Sequence, residues 1–287
     1  MFYRKGKKMK DYKLIALDMD GTLLNSRKEI SEKTKEMIRR AAAEGKHVVL
    51  STGRGVAELT EYLEQLPEVR YLDCTSGAMV YDCKEQKILA NDPICDPDMR
   101  KILSLAKERD VMIHFLTTKS LVEQSKFEVI DKYNMGIYHE LFRKAADKCE
   151  DICRTYEEKG ELISKCNLYH RSSEDRAAMK ETIESMGLSV SAVYSEIASL
   201  ELTAAGVNKG TGLVKLCEHL GISVDETIAV GDADNDIAIL KTAGLAVAMG
   251  NAEEYVKALA DVVVADCDHD GCAEAIEKYL LGNVHLF

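Results

Sequence analysis

The segment KLIALDMDGTLL, residues 13–24, is the part of the sequence from which the rest can be interpreted. Its apolar run Leu14–Leu17 is short and uncharged, which predicts a strand buried on both faces of a parallel sheet. Asp18 and Asp20 follow directly, and ligands of open α/β sheets bind beyond the carboxyl ends of the strands. Two close carboxylates raise each other's pKa unless a cation lies between them. The segment therefore predicts a divalent metal site, and all-oxygen ligands favour Mg²⁺.

The composition is that of an ordinary globular protein, with 287 residues, 46% of them hydrophobic and 30% charged. The formal net charge of −11 argues against a nucleic-acid surface and against binding to anionic membranes. No apolar run is long enough to span a bilayer. Nine cysteines without a CxxC spacing, in a chain without an export signal, predict reduced thiols and a cytoplasmic location. Residues 1–10 are predicted to form a basic, solvated tail.

The order of apolar segments predicts a doubly wound parallel sheet with a second module inserted into it. Parallel-sheet strands with right-handed crossovers are expected at 14–17, 47–50, 71–74, 227–230, 245–248 and 262–264. Between residues 84 and 195 the alternation becomes irregular, which is typical of an inserted α+β module. We therefore expect an α/β core formed by residues 1–83 and 196–287 and an α+β cap at 84–195. Helices are predicted at 31–44, 56–66, 98–110, 172–186, 209–220, 235–243 and 272–280.

Four polar motifs occur in order along the predicted core, three directly after strands and one at the start of a helix. They are DMDGTLL, VLSTGR, GVNKG and GDADND, at residues 18–24, 49–54, 206–210 and 231–236. The second and third are weak signals alone, whereas all four in order are specific. With these motifs the sequence resembles the haloacid dehalogenase-like (HAD) superfamily. Within it, the sequence is similar to the Cof-like phosphatases, whose cap is inserted after the third core strand.

The resemblance implies a mechanism for cleaving a phosphate monoester. Asp18 corresponds to the nucleophile that forms an aspartyl-phosphate, and Asp20 to the general acid and base. Mg²⁺ would be held by the Asp18 carboxylate, the Asp20 backbone carbonyl and Asp232. Asp236 would support the metal site, although an acid at a helix N-terminus is also expected there. The phosphoryl group would be bound by the Met19 backbone, Thr52, Gly53, Lys209 and Asn235.

Three positions either allow two roles or depart from the family pattern. Arg54 is either a partner for a carboxylate or a substrate ligand. Ser76-Gly77-Ala78 replaces the Asn-Gly-Ala that Cof-like proteins usually carry, which keeps the turn and puts the usual amide contact in doubt. Asp234 is one acid more than the last motif requires.

Three functions remain open from the sequence. The first is a Mg²⁺-dependent phosphatase that acts on small phosphorylated metabolites, such as sugar phosphates. The second is a sugar phosphomutase, which would need several basic cap residues to hold a second phosphate. The third is a protein that binds phosphorylated ligands without turnover, which the retained acids and lysine argue against. The basic residues available in the cap are Lys119, Lys126, Lys132, Arg143, Lys144 and Lys165.

Overall fold

The computed structural model of the protein describes residues 10–282, so the predicted tail lies almost entirely outside the described residues. Two sheets, of eight and six strands, organise this part of the chain. The strands are β1 (Leu14–Leu17), β2 (His47–Ser51), β3 (Tyr71–Cys74), β4 (Met79–Asp82), β5 (Lys87–Asn91), β6 (Met112–Leu116), β7 (Ser120–Glu123), β8 (Ala146–Cys149), β9 (Lys165–Tyr169), β10 (Val190–Ser195), β11 (Ser199–Ala204), β12 (Thr227–Gly231), β13 (Leu245–Ala248) and β14 (Val262–Val263).

The helices lie between these strands. They are α1 (Glu32–Ala43), α2 (Thr60–Leu63), α3 (Asp96–Lys107), α4 (Gln124–Phe127), α5 (His139–Ala145), α6 (Ile152–Lys159), α7 (Ser173–Ser185), α8 (Lys209–Leu220), α9 (Ile237–Thr242), α10 (Glu254–Lys257) and α11 (Gly271–Ala275). No helix among residues 10–282 is both long and apolar enough to cross a membrane.

The larger sheet has the order β14-β13-β12-β1-β2-β3-β4-β5. The first six of these strands are mutually parallel, and β4 and β5 form an antiparallel extension. β1 lies between β2 and β12, so the polar residues that follow these three strands meet at one edge of the sheet. This arrangement confirms the predicted doubly wound α/β core.

Both faces of β1 are covered, which explains its uninterrupted apolar sequence. Ile15 and Leu17 pack into one hydrophobic cluster together with side chains of α1 and α11. Leu14 and Ala16 pack into the cluster on the opposite face, together with side chains of α8 and α9. All four residues are at most 1% exposed. The strand that carries the two acids is therefore held rigidly from both sides.

The smaller sheet has the order β10-β11-β9-β6-β7-β8 and is antiparallel except for the β7–β8 pair. α3, α6 and α7 contribute side chains to the hydrophobic cluster on one face. The two sheets do not divide at the predicted domain boundaries, residues 84 and 195. β5 belongs to the larger sheet because it pairs with β4, and β11 belongs to the smaller sheet because it pairs with β9 and β10.

Most predicted helices occur within one or two residues of their expected ends. The helix expected at 56–66 is instead a 3₁₀ turn at Val56–Leu59 followed by the single turn of α2. The turn is tightened because the Glu58 N–H donates to the Gly55 carbonyl and the Glu58 carboxylate accepts the Gly55 N–H at 2.8 Å. The helix expected at 272–280 is α11 followed by a π-helical turn, Ile276–Leu280.

The close packing of α8 against the turn after β3 depends on Gly77. Its φ is +93°, and a Cβ built there would lie 1.9 Å from the Asn208 carbonyl oxygen. Asn208 is the N-cap of α8, and its side chain accepts the Thr211 N–H. Gly77 therefore allows the start of α8, and with it Lys209, to approach the strand ends.

We expect Gly77→Ala to destabilise the protein by much more than Gly45→Ala. Gly45 also has a positive φ, +75°, but a Cβ there would meet nothing within 4 Å. The Gly45 variant should lose about 1 kcal/mol from backbone strain alone. The Gly77 variant should lose roughly 1–3 kcal/mol more, because the new methyl group overlaps backbone atoms. Urea unfolding of both variants measures the difference, and equal losses would contradict the proposed close approach.

Candidate active site

A buried lysine joins two acids at the centre of the sheet edge. Lys209 opens α8 and is 1% exposed, and its Nζ lies 2.5 Å from Asp18 Oδ1 and 2.7 Å from Asp236 Oδ1. The other oxygen of Asp236 accepts the backbone N–H groups of Asp232 and Ala233, at 3.0 and 3.1 Å. Both Asp236 oxygens are thus engaged by the protein, which makes this residue an anchor for the lysine and for the last motif.

The electrostatic environment of Asp18 favours a cation. Burial, and then repulsion by Asp236, raise the pKa of Asp18 to about 7, although Lys209 opposes the shift. Burial also raises the pKa of Asp232, against the hydrogen bond from Thr22. One lysine is therefore too little positive charge for the three acids Asp18, Asp232 and Asp236.

The same acids form a cluster that fits a divalent cation such as Mg²⁺, with Asp18 and Asp232 as the carboxylates that could bind it. Oxygens of Asp18, Asp232 and Asp236 lie within 4.8 Å of one another, and carboxylate oxygens are the ligands this ion prefers. Thr22 Oγ1 donates to Asp232 Oδ1 at 2.7 Å and fixes its orientation. Asn251 donates to the Gly21 carbonyl at 2.8 Å and so links this turn to a distant loop. No pattern in the sequence indicated a role for Asn251.

Asp20 points toward two cations rather than toward Asp18. Arg54 donates to both of its oxygens, at 3.0 and 2.8 Å, and Lys28 donates to Oδ1 at 2.8 Å. Burial alone would raise the pKa of Asp20, but the hydrogen bonds and charges of Arg54 and Lys28 lower it below the usual value. Arg54 is therefore a carboxylate partner, which was one of its two predicted roles.

The loop after β2 presents a hydroxyl group to the same edge. The Thr52 N–H donates to the Asp73 carbonyl at 2.8 Å, and Thr52 Oγ1 accepts the Arg54 N–H at 3.2 Å. Because Oγ1 accepts this bond, its own hydrogen is available to a ligand. The Met19 side chain is fully buried, so its backbone is the part that can serve the site.

Some of these residues, Asp18, Asp20, Lys28, Thr52 and Arg54, line a cavity of about 250 Å³ between the two sheets. On the core side the cavity is lined by Asp18, Asp20, Lys28, Thr52, Gly53, Arg54 and Asn235. On the cap side it is lined by polar strand residues and by apolar side chains that include Met135, Leu141 and Phe142. The polar residues are Lys165, Asn167 and Tyr169 of β9, together with His114, Ser199 and Glu201 of the neighbouring strands. The cavity is thus bordered on one side by Asp18 and Asp20 and on the other by a face of the smaller sheet that contributes polar side chains.

The cap face is polar but carries little net charge. Lys165 is paired with Glu201 at 2.6 Å. Burial lowers the pKa of His114 to about 3, so its ring is neutral and hydrogen-bonds to Ser120 and Tyr169. Among the basic cap residues considered from the sequence, Lys165 is the one that lines this cavity.

The sequence of β9 contains a signal for this polar face, which the motifs do not include. In KCNLY, residues 165–169, every second residue is polar, and successive side chains of a strand point to opposite faces. The intervening Cys166 and Leu168 are fully buried in the cap's hydrophobic cluster. The alternation therefore indicated that Lys165, Asn167 and Tyr169 share the opposite face.

Comparisons with known proteins identify the family of the chain. A family model described as haloacid dehalogenase-like hydrolase matches residues 15–276. The chain is 31% identical to the 5-amino-6-(5-phospho-D-ribitylamino)uracil phosphatase YcsE of Bacillus subtilis, over 94% of this chain and 97% of that protein. It is 26% identical to the pyridoxal phosphate phosphatase YbhA of Escherichia coli, over 94% and 99% of the two chains. The crystal structure of a haloacid dehalogenase-like hydrolase from Bacteroides thetaiotaomicron is similar with a TM-score of 0.81 at 29% identity, covering 93% of this chain and 99% of that one.

One further acid lies beneath the site. Asp73, at the end of β3, is fully buried, and its Oδ2 accepts the Ser51 hydroxyl at 2.6 Å. Its Oδ1 has no hydrogen-bond partner among the described residues, and burial raises its pKa to about 7. Because folding raises the pKa of this carboxyl, the folded protein holds its proton more tightly than the unfolded chain does. The resulting contribution to stability is fully present below the pKa of the unfolded state, and it is lost as the pH rises through the pKa of the folded state.

We therefore expect wild-type stability to fall relative to that of Asp73→Asn between about pH 6 and pH 8.5, by on the order of 1 kcal/mol. Urea unfolding of the metal-free proteins at both pH values measures the change. Asp147→Asn, which alters an exposed acid of β8, is the control and should show no such trend. A constant difference between wild type and Asp73→Asn would contradict the raised pKa.

Proposed function

The chain belongs to the haloacid dehalogenase-like hydrolases, and on this basis we propose that it is a Mg²⁺-dependent phosphatase acting through an aspartyl-phosphate on small phosphorylated metabolites. The predicted enzyme class, a phosphoric monoester hydrolase of the Cof-like group, agrees with the family match and with relatives named as phosphatases. The two named relatives act on different phosphate esters, so neither substrate carries over to this chain.

The observation that carries the proposal is the placement of Asp18. It lies at the end of a fully buried strand, one of its oxygens is bound by Lys209 at 2.5 Å, and it lines the cavity. With Oδ1 bound to the lysine, Oδ2 is the oxygen that attacks phosphorus. The family resemblance implies that the phosphoryl group would be bound by Lys209, Thr52, Gly53, Asn235 and the Met19 backbone, and three of these residues, Thr52, Gly53 and Asn235, line the cavity.

The reaction divides into two displacements. Asp18 forms a bond to phosphorus while the bond from phosphorus to the ester oxygen breaks, and Asp20 gives that oxygen its proton. Asp20 then accepts a proton from water, which attacks phosphorus and releases inorganic phosphate and free Asp18. Splitting a difficult displacement in this way replaces attack by water on an inert ester with attack on a reactive acyl phosphate.

Asp20 must first leave Arg54 and Lys28 and acquire a proton. An incoming phosphate ester carries negative charge into the same cavity, which Lys28 and Arg54 also line. Its charge competes for the two cations and disfavours ionisation of Asp20. Substrate binding thus creates the protonated acid that the ground state of the free protein lacks.

Mg²⁺ would supply positive charge to the nucleophile and the phosphoryl oxygens when bound. The Asp18 and Asp232 carboxylates and the Asp20 carbonyl would hold it, with Asp236 as a support through Lys209. The cap face argues for a phosphatase over a phosphomutase, because a second phosphate would meet only one lysine, already paired with Glu201.

Asp18→Asn should abolish phosphate release from every monoester, because an amide does not attack phosphorus and is a weaker metal ligand. Asp234→Asn is the matched control, since this exposed acid of the same motif contacts Tyr255 and should be dispensable. A panel of phosphorylated metabolites, assayed with Mg²⁺ and with excess EDTA, tests both variants and the wild type. Substantial activity of Asp18→Asn, or undiminished wild-type activity in EDTA, would refute the assignment.

Asp20→Asn should slow phosphorylation of Asp18 much more for a sugar phosphate than for p-nitrophenyl phosphate. A sugar alkoxide needs a proton to leave, whereas p-nitrophenolate does not, and general acid catalysis is worth roughly 10²–10⁴-fold. The variant keeps the backbone carbonyl expected to bind the metal. Single-turnover measurements with both substrates give the ratio, and equal losses would mean that Asp20 has a structural role.

A further inference from the structure

Lys165 of the cap is buried against the core loops that carry the phosphate-binding residues. It begins β9 and is 1% exposed. Its Nζ lies 2.6 Å from Glu201 Oε2 within the cap, 3.0 Å from the Gly53 carbonyl oxygen and 3.1 Å from Ser76 Oγ in the core. Gly53 follows Thr52, and both residues line the cavity.

These partners use the whole hydrogen-bonding capacity of the lysine. An ammonium group has three donors, and the three distances above correspond to three acceptors. No donor is left for a second phosphate or for the leaving group of a substrate. A role as a substrate ligand, which the phosphomutase hypothesis would need, is therefore less consistent with the geometry than a role in joining the two sheets.

Gly53 and Ser76 pack closely around the ammonium group of Lys165. A Cβ built on Gly53 would lie 3.1 Å from Lys165 Nζ and 3.3 Å from Ser76 Oγ, which is tighter than ordinary contact. Ser76 has a φ of 59°, and its N–H donates to the Thr52 carbonyl at 3.0 Å. Thr75, also at positive φ, donates its N–H to the Arg54 carbonyl at 2.9 Å. The two core loops therefore support each other and share one cap lysine.

A second cap lysine also bridges to the core but differs in its environment. Lys144 of α5 lies 2.5 Å from Glu61, and both side chains are largely exposed, at 49% and 65%. Exposed ion pairs contribute little because water competes for both charges. Lys165, by contrast, is shielded from water and contacts backbone as well as side chain, so its contacts contribute more to holding the cap on the core.

We propose that Lys165 is a positioning residue that couples docking of the cap to the geometry of the phosphate-binding loop. With the cap docked, Lys165 fixes the Gly53 carbonyl and Ser76, and thereby the direction of the Thr52 hydroxyl. With the cap undocked, these loops lose their shared cation and the loop that receives the phosphoryl group loosens. The role of Lys165 in catalysis rests on the proposed function, but its contact with the core loops can be tested without turnover.

Hydrogen–deuterium exchange of the full chain tests the coupling, with Lys165→Met as the variant and Lys144→Met as the control. Exchange at residues 52–55 and 75–78 should accelerate about tenfold or more in Lys165→Met, given the strength of hydrogen bonds from charged donors. β6, β9 and β11 should keep wild-type exchange, and Lys144→Met should match the wild type throughout. Unchanged loops would overturn the proposal, and so would equal acceleration across the cap strands, which would indicate loss of cap folding.

Binding of inorganic phosphate in the presence of Mg²⁺, measured by calorimetry, separates positioning from leaving-group recognition. Inorganic phosphate has no leaving group, so a loosened phosphate loop should weaken its binding about tenfold in Lys165→Met. Unchanged phosphate affinity would overturn the positioning role. Gly53→Ala, which keeps the lysine but displaces its Nζ, should accelerate exchange in the same two loops. Because exchange and phosphate binding need no turnover, failure of the proposed phosphatase activity would not be confused with failure of this inference.

Discussion

The structure depends on one buried cation, Lys209, placed between Asp18 and Asp236. Burying a charged lysine is costly unless it is paired and hydrogen-bonded, and here both partners lie within 2.7 Å. The three residues come from the end of β1, the turn between β12 and α9, and the start of α8. Their contacts therefore form only when the central strands and these helices are in place. Gly77, against which the N-cap Asn208 packs, permits that approach. The fold and the site are therefore specified by the same contacts.

The other cationic side chains near the cavity are also paired with carboxylates. Arg54 and Lys28 neutralise Asp20, and Lys165 joins Glu201 to the core loops. Each of these positive charges near the cavity is thus paired. Asp18 and Asp232 have raised pKa values, which a bound metal ion would lower because it stabilises the ionised carboxylates. This balance suits a ligand that brings its own negative charge together with a divalent cation. It also explains how a protein with a net charge of −11 can receive an anion.

Much of the core could be predicted from the sequence because its signals are local. The apolar run before Asp18 and the four motifs indicated the strand ends, and the structure brings Asp18, Thr52, Lys209 and Asp232 to one edge. The assignment of β5 and β11 was not predictable in this way, since a strand's partner is decided by tertiary contacts rather than by its own residues. The Lys165–Gly53 contact joins residues 112 positions apart, and no local pattern encodes it. The alternation in residues 165–169 did indicate which cap face is polar.

The stereochemical course at phosphorus tests the central claim most directly, because it reports the number of displacements without requiring that an intermediate be trapped. The substrate would be a phosphate monoester made chiral at phosphorus by sulfur and oxygen-isotope substitution, hydrolysed by the wild-type protein in isotopically labelled water. Attack by Asp18 followed by attack by water inverts the centre twice, so the account predicts net retention of configuration. Net inversion would show a single displacement by water and would contradict the role of Asp18 as nucleophile.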